Sequence, residues 1–265
     1  MKNTSSPPNH PASSGTAVHP RHEGKSPKMV QFIHAVLHQA LENAVRWNLV
    51  SRNVAKLVSL PRVERYEAQT LTVEQARQLL EEARGSRIEV MILVALNTGM
   101  RRGELSALRW DDIDFENGLI FVRRTVNYVG GYGFVETEPK TKSSRRKIAV
   151  SGKLLEALKV HREQQGQMRL RAGEKWHEQG LVFCNRHGKF LFPEVVLKQF
   201  HTLLARAGLP EMRFHDLRHT MATMLLESDV HPKKVQERLG HSSIAITMDT
   251  ILMCILRCIR MWRVS

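Results

Sequence analysis

The hydrophobic period changes twice along this chain, and those changes bound the folds open to it. From Val30 to about Arg109, apolar residues recur at the three-to-four spacing that lines one face of an α-helix. Between Gly118 and Ser151 the period falls to two, in GLIFVRRTVNYV, GYGFVETEP and RRKIAVS, the alternation of half-buried strands. Helical spacing then resumes to about Leu239. Gly130-Gly131 and the polar run Thr141–Ser144 supply turns between the strands. Three consecutive strands joined by short turns predict a small three-stranded antiparallel sheet. The order helices, sheet, helices predicts an α+β, mainly helical domain.

Within that frame the spacing predicts helices over 72–84, 86–97 and 101–109, then 152–168, 193–207, 216–228 and 232–239. Thr72 and Gln75 read as a capping box. EVMILVALNTG is almost wholly apolar, so its helix is expected to be buried on every side. Residues 1–28 are rich in Pro, Ser, His and Asn and cannot bury enough surface to offset their ordering entropy; they are expected to be disordered. VQFIHAVLHQALENAVRW predicts an amphipathic helix over 30–47, with a short second one over 52–58. Its apolar face has no partner upstream, so 29–66 reads as the remnant of a helical domain followed by a linker around Pro61. An uncovered face of that kind predicts low solubility.

Formal net charge is +14, which favours a polyanionic partner, nucleic acid first, and the resemblance given below narrows that partner to double-stranded DNA. Three cysteines (Cys184, Cys254, Cys258) form no CxxC, which argues against structural zinc and for a reducing compartment. No long apolar run or apolar signal core occurs, so the expectation is a cytoplasmic protein without a membrane partner.

Four short motifs carry candidate chemistry. In TGMRRGEL (98–105), Gly99 permits a sharp turn and Arg101 opens a helix beside backbone amides, a favourable place for a phosphate. In PKTKSSRR (139–146), Lys140 stands on a hairpin loop as a potential proton donor. Arg102, Lys142, Arg145, Arg146 and Lys147 read as DNA-backbone contacts, the reading that a charge run supports by itself. In HDLRHT, His215 and Arg218 are three apart and share a helix face; His241 follows in LGHSS. Two imidazoles and a guanidinium converging on one point suit a phosphate with a proton to move. Any one motif alone is weak: a lone arginine is usually solvated, and a lone histidine is usually structural.

Taken in order, TGxRxxEL, a hairpin lysine, HxxR and LGH resemble the tyrosine recombinase (phage integrase) family, over roughly residues 29–250. LRWDDIDFENGLIFVRRT, PKTKSSRRKIAV and LGHSSIAITMDT agree with it. The resemblance implies the tyrosine-recombinase catalytic fold over 67–250, and site-specific cleavage and rejoining of DNA through a 3′-phosphotyrosine, as in integration and excision of mobile elements. It implies that Arg101 and Arg218 stabilise the phosphate, Lys140 protonates the leaving 5′-oxygen, and His215 and His241 assist proton transfer. It implies no metal and no cofactor, and a homo-oligomer on DNA in intact relatives.

One residue departs from that pattern. The family's tyrosine is expected just after MDT, and Ile251 stands there; the only tyrosines are Tyr66, Tyr128 and Tyr132, all upstream. Isoleucine has no nucleophilic atom. The tail 251–265, ILMCILRCIRMWRVS, reads either as an out-of-frame product or as an amphipathic docking helix. Three readings of function stay open: a degenerate, cleavage-defective recombinase, a non-catalytic DNA-binding protein that occupies recombination sites or interferes with intact integrases, and, more weakly, a nuclease with another nucleophile.

Overall fold

The computed structural model of the chain describes residues 25–63, 66, 68–138 and 145–240. It divides into two compact units, Met1–Tyr66 and Glu67–Ser265. In the first, α1 (Pro27–Arg46) begins at Ser26, whose hydroxyl accepts the Met29 N–H, with Pro27 preset for the first helical turn. A 3-10 turn at Val54–Leu57 is tied back to it: Asn53 donates to the His38 carbonyl at 3.0 Å and to Glu42 at 2.7 Å. No residue of α1 is buried, and Ile33, Val36 and Leu37 on its apolar face are 45%, 54% and 54% exposed.

The second unit opens with α2 (Val73–Glu82), entered through the expected capping box: Gln75 N–H donates to Thr72 Oγ1 and Thr72 N–H to Gln75 Oε1. Next comes α3 (Glu89–Thr98), buried along Met91, Ile92, Val94, Ala95 and Leu96, as an apolar run of this length requires. It ends at Gly99, in the left-handed conformation (φ 62°), and α4 (Arg102–Ser106) starts three residues later. That helix is shorter than the 101–109 expected, because Arg109 already pairs with Leu181 as an isolated β-bridge.

The strands depart from expectation in an informative way. The three-stranded antiparallel sheet is made of β1 (Ile113–Asp114), β2 (Leu119–Val122) and β5 (Arg146–Ala149), in the order β1-β2-β5. Ile113, Ile120 and Ile148 stand in register across it and are all buried, so they form the face laid on the core. The segment read as one strand over 118–129 is broken at Arg123-Arg124. Arg124 donates to the buried Asp112 carboxylate at 2.7 Å, and Arg123 lies 3.4 Å from its other oxygen. Beyond that break the chain forms a separate hairpin, β3 (Thr125–Val129) and β4 (Gly133–Thr137), turning at Gly130–Tyr132. A period of two cannot show this, since both halves of the segment alternate and only the Asp112 pairing divides them.

Four helices complete the unit: α5 (Gly152–Ala172), α6 (Pro193–Arg206), α7 (Asp216–Glu227) and α8 (Pro232–Leu239). Phe200 of α6 meets Phe214 edge to face at 5.2 Å within the core that also takes Leu79, Leu154 and Leu158. A mainly helical α+β fold with one small antiparallel sheet is therefore what the chain adopts. Among the described residues, no helix is long and apolar enough to cross a membrane.

Gly103 fixes the approach of α4 to the hairpin. A Cβ there would lie 2.5 Å from Thr125 Oγ1 and 2.8 Å from the Val126 carbonyl oxygen, whereas a Cβ on Gly130 meets nothing within 4 Å. Gly103→Ala is expected to lower unfolding free energy by about 1–3 kcal/mol in urea titration, the cost of overpacking against backbone. Gly130→Ala is expected to leave the urea midpoint nearly unchanged.

Candidate functional site

The site is built where two helices end. The last carbonyls of an α-helix lack intrahelical donors and carry the negative end of its dipole. Here the C-termini of α3 and α8 meet beside α7, and arginines supply the missing donors. Arg218, in the first turn of α7 and 3% exposed, donates to the Gly99 carbonyl at 2.6 Å and to the Leu239 carbonyl at 2.6 Å. Arg238 donates to the Asn97 carbonyl at 2.7 Å, and Arg146 to the Arg238 carbonyl at 2.7 Å. Both helices stop at left-handed glycines, Gly99 and Gly240, so their ends are turned sharply and the carbonyls stay accessible to the guanidinium groups.

Arg101 stands just after Gly99, at the N-cap of α4. Its N–H donates to Glu104 Oε2 at 2.8 Å and its guanidinium to Glu104 Oε1 at 2.9 Å. Glu104 is itself buried, and Arg146 grips the same two oxygens at 3.1 and 2.8 Å. Burial works to raise the pKa of this carboxyl, but the hydrogen bonds and charges of Arg146 and Arg101 outweigh it and hold the group below its ordinary value. Burial first, and then the Arg101 and Arg146 charges, push the Arg218 guanidinium down to about 9, still protonated at neutral pH.

His215 precedes α7 and faces His219 edge to face, with ring centroids 5.5 Å apart. Its imidazole retains exposed surface, yet partial burial, then His219, Arg218 and Arg101, push its pKa down to about 4. It is therefore neutral at pH 7, able to accept a proton on one ring nitrogen and donate a hydrogen bond from the other. Asp216 holds the start of α7: it accepts from the Arg213 N–H at 2.9 Å and pairs with the Arg213 guanidinium at 3.0 Å.

Of the residues singled out from sequence, the structure brings Arg101, His215 and Arg218 within electrostatic reach of one another. Lys140, Lys142, His241 and Ile251 lie outside the described residues. Arg102 is half-buried in the first turn of α4, Arg145 pairs with Glu138, and Lys147 is exposed with its ammonium 5.7 Å from the Phe121 ring centre. Arg146, grouped in sequence with the surface cations, is instead turned inward with its side chain 5% exposed. Sequence reasoning missed Glu104 as the shared counter-ion. Its only signal was the i, i+3 spacing from Arg101 inside TGMRRGEL. Arg145, Arg146, Lys147, Arg123 and Arg124 also line a cleft of about 600 Å³ between β2–β5 and β3–β4. Among the described residues, no cluster of His, Cys, Asp and Glu is arranged to hold a metal ion.

The model of the phage integrase family matches residues 69–250. A tyrosine recombinase XerC-like protein of Caldanaerobacter subterraneus subsp. tengcongensis is 35% identical over 245 residues, covering 86% of this chain and 62% of that protein. An integrase of Streptomyces ambofaciens is 34% identical over 237 residues, covering 84% and 59%. The chain thus spans about three fifths of the length of these curated relatives. The fold is shared with the Tn1549 transposon integrase solved in complex with transposon right end DNA, at a TM-score of 0.70 and 24% identity, over 86% of this chain and 76% of that one. It is shared as well with a lambda integrase dimer bound to a core site, at a TM-score of 0.59 and 19% identity, over 84% and 73%.

Two outcomes follow from the charge arrangement. Glu104→Gln leaves Arg146 buried without its carboxylate and is expected to cost about 3–5 kcal/mol in urea titration. His215 is expected to titrate by NMR near pH 4 rather than the ordinary 6.5. Because its folded pKa is depressed, the unfolded chain binds the extra proton first, so stability falls as pH drops from about 6.5 towards 4.

Proposed function

The chain belongs to the phage integrase family, and from that premise we propose that it is a site-specific recombinase relative acting on double-stranded DNA, with its phosphate pocket kept and its own nucleophile lost. One observation carries the first half of this reading: Arg101, Arg218 and a neutral His215 share one patch of the fold, where Glu104 is the carboxylate that Arg101 meets among the described residues. Cations held in place before an anion arrives stabilise charge developing on a phosphate without reorganising. A guanidinium has five N–H donors; two of Arg218's hold the Gly99 and Leu239 carbonyls, so its orientation is set while others serve a phosphate oxygen.

In this reading Arg101 and Arg218 bind the two non-bridging oxygens. His215, kept neutral by burial and then by its neighbours, takes or shares the proton of an attacking hydroxyl. Lys140 donates to the leaving 5′-oxygen and His241 hydrogen-bonds the phosphate, roles assigned by their places in PKTK and LGH. Arg102, Lys142, Arg145 and Lys147 contact the DNA backbone, and no metal or cofactor enters.

The second half rests on Ile251. We read none of the three tyrosines as its substitute, since all lie upstream of it in the sequence. Tyr128 packs edge to face on Phe134 and Phe192 at 5.2 and 5.3 Å; Tyr132 projects from the hairpin turn; Tyr66 lies in the first unit. Phosphate binding without attack makes the chain a cleavage-defective copy. The same observation favours a second reading, a DNA-binding protein that occupies recombination sites or competes with intact integrases.

A nicked suicide duplex tests the proposal. The expected outcome is binding that weakens steeply with salt, and no protein–DNA adduct on a denaturing gel. A covalent adduct formed by this chain would overturn the loss of cleavage, and salt-insensitive or absent binding would overturn both readings.

A further inference from the structure

Each oxygen of Glu104 accepts one bond from Arg101 and one from Arg146: Oε1 at 2.9 and 3.1 Å, Oε2 at 2.8 and 2.8 Å. The two arginines are nonetheless unequal. Arg101 has a side chain 40% exposed, on the open side of the carboxylate; the side chain of Arg146 is 5% exposed, behind it. Two cations share one anion, so the trio keeps one positive charge, and the exposed member is the one able to present it. Were Arg146 absent, Glu104 would neutralise Arg101 and draw it inward, away from any incoming anion.

Arg146 has a third bond that fixes it independently of Glu104. Its Nε donates to the Arg238 carbonyl at 2.7 Å, at the end of α8, one residue before the Leu239 carbonyl held by Arg218. Its backbone is the first residue of β5, paired with Val122 in the central strand of the sheet. A guanidinium anchored on two elements and gripping a carboxylate through two parallel bonds has little freedom to swing out to solvent.

We propose that Arg146 is a positioning residue for phosphate recognition: from behind Glu104 it balances the carboxylate charge and leaves Arg101 oriented outward and electrostatically free to take a phosphate oxygen. This inference rests on the pocket reading above, and it moves Arg146 from the set of direct DNA contacts to the interior of the site.

The test is a double-mutant cycle on the whole chain, with inorganic phosphate as the probe and the His215 ring resonance as a local reporter. Arg101→Met serves as the reference. If it leaves the phosphate response of His215 unchanged, the pocket reading fails before Arg146 is at issue. With that response lost in Arg101→Met, Arg146→Met is expected to weaken phosphate about tenfold, and Arg146→Lys, which keeps the charge but not the planar fork, about threefold. Adding Glu104→Gln to either is expected to restore most of the lost affinity, because the carboxylate charge that captures Arg101 is gone. A residue contacting phosphate directly, or supporting the fold in general, would show no such rescue. Wild-type affinity in both single variants, or additive losses in the cycle, would overturn the proposal. Should Arg146→Met fail to fold by near-ultraviolet circular dichroism, Arg146→Lys with and without Glu104→Gln runs the same cycle.

Discussion

Two helix C-termini bridged by the same arginines are the constraint on which this site depends. The terminal carbonyls of α3 and α8 cannot be satisfied within their own helices, and water is excluded where the ends are buried. Arg218, Arg238 and Arg146 satisfy the Gly99, Leu239, Asn97 and Arg238 carbonyls. A buried backbone carbonyl without a donor costs about 1–3 kcal/mol, so these bonds contribute to the fold as well as to any chemistry. The arrangement also explains why guanidinium groups serve here: a guanidinium can hold two carbonyls and still present further donors, which an ammonium with one charge centre does less well.

That solution brings Arg146 and Arg218 close to Arg101 and creates a second difficulty, mutual repulsion among the three at low dielectric. Glu104 meets it by accepting from two of them at once, and its own charge is secured in return. The consequences reach His215. Burial first, and then His219 and the neighbouring cations, depress its pKa, so the imidazole remains neutral across the physiological range. Stability and a potential acid–base group are thus set by the same charges. In the function proposed above, an incoming phosphate would relieve the repulsion.

Much of this could be read from the sequence, and the exceptions share a cause. The buried character of α3, the capping box at Thr72 and the helix starts at Pro193 and Pro232 followed from period and caps, and the grouping of Arg101 with His215 and Arg218 from the family resemblance. The division of 118–129 into β2 and β3 did not, because it depends on Asp112 collecting Arg123 and Arg124. The inward turn of Arg146 did not either. In a run that reads Arg145-Arg146-Lys147, nothing local distinguishes the middle cation, and only the distant Glu104 and Arg238 carbonyl select it.

By itself, then, the sequence determined the family, the mainly helical α+β plan, the residue types a phosphate would meet, and the isoleucine where a nucleophile is expected. These are local properties: periodicity, motif spacing and the identity of one side chain. The tertiary structure decided which cations face outward and which are used internally, which carboxylate they share, and that His215 is neutral. Those depend in large part on groups far apart in the chain, as Arg218 is from Leu239 and Gly99, 21 and 119 positions away, and Arg146 from Glu104, 42 positions away. Coulombic and desolvation energies act through space, so a charge acquires its role only when folding has chosen its neighbours.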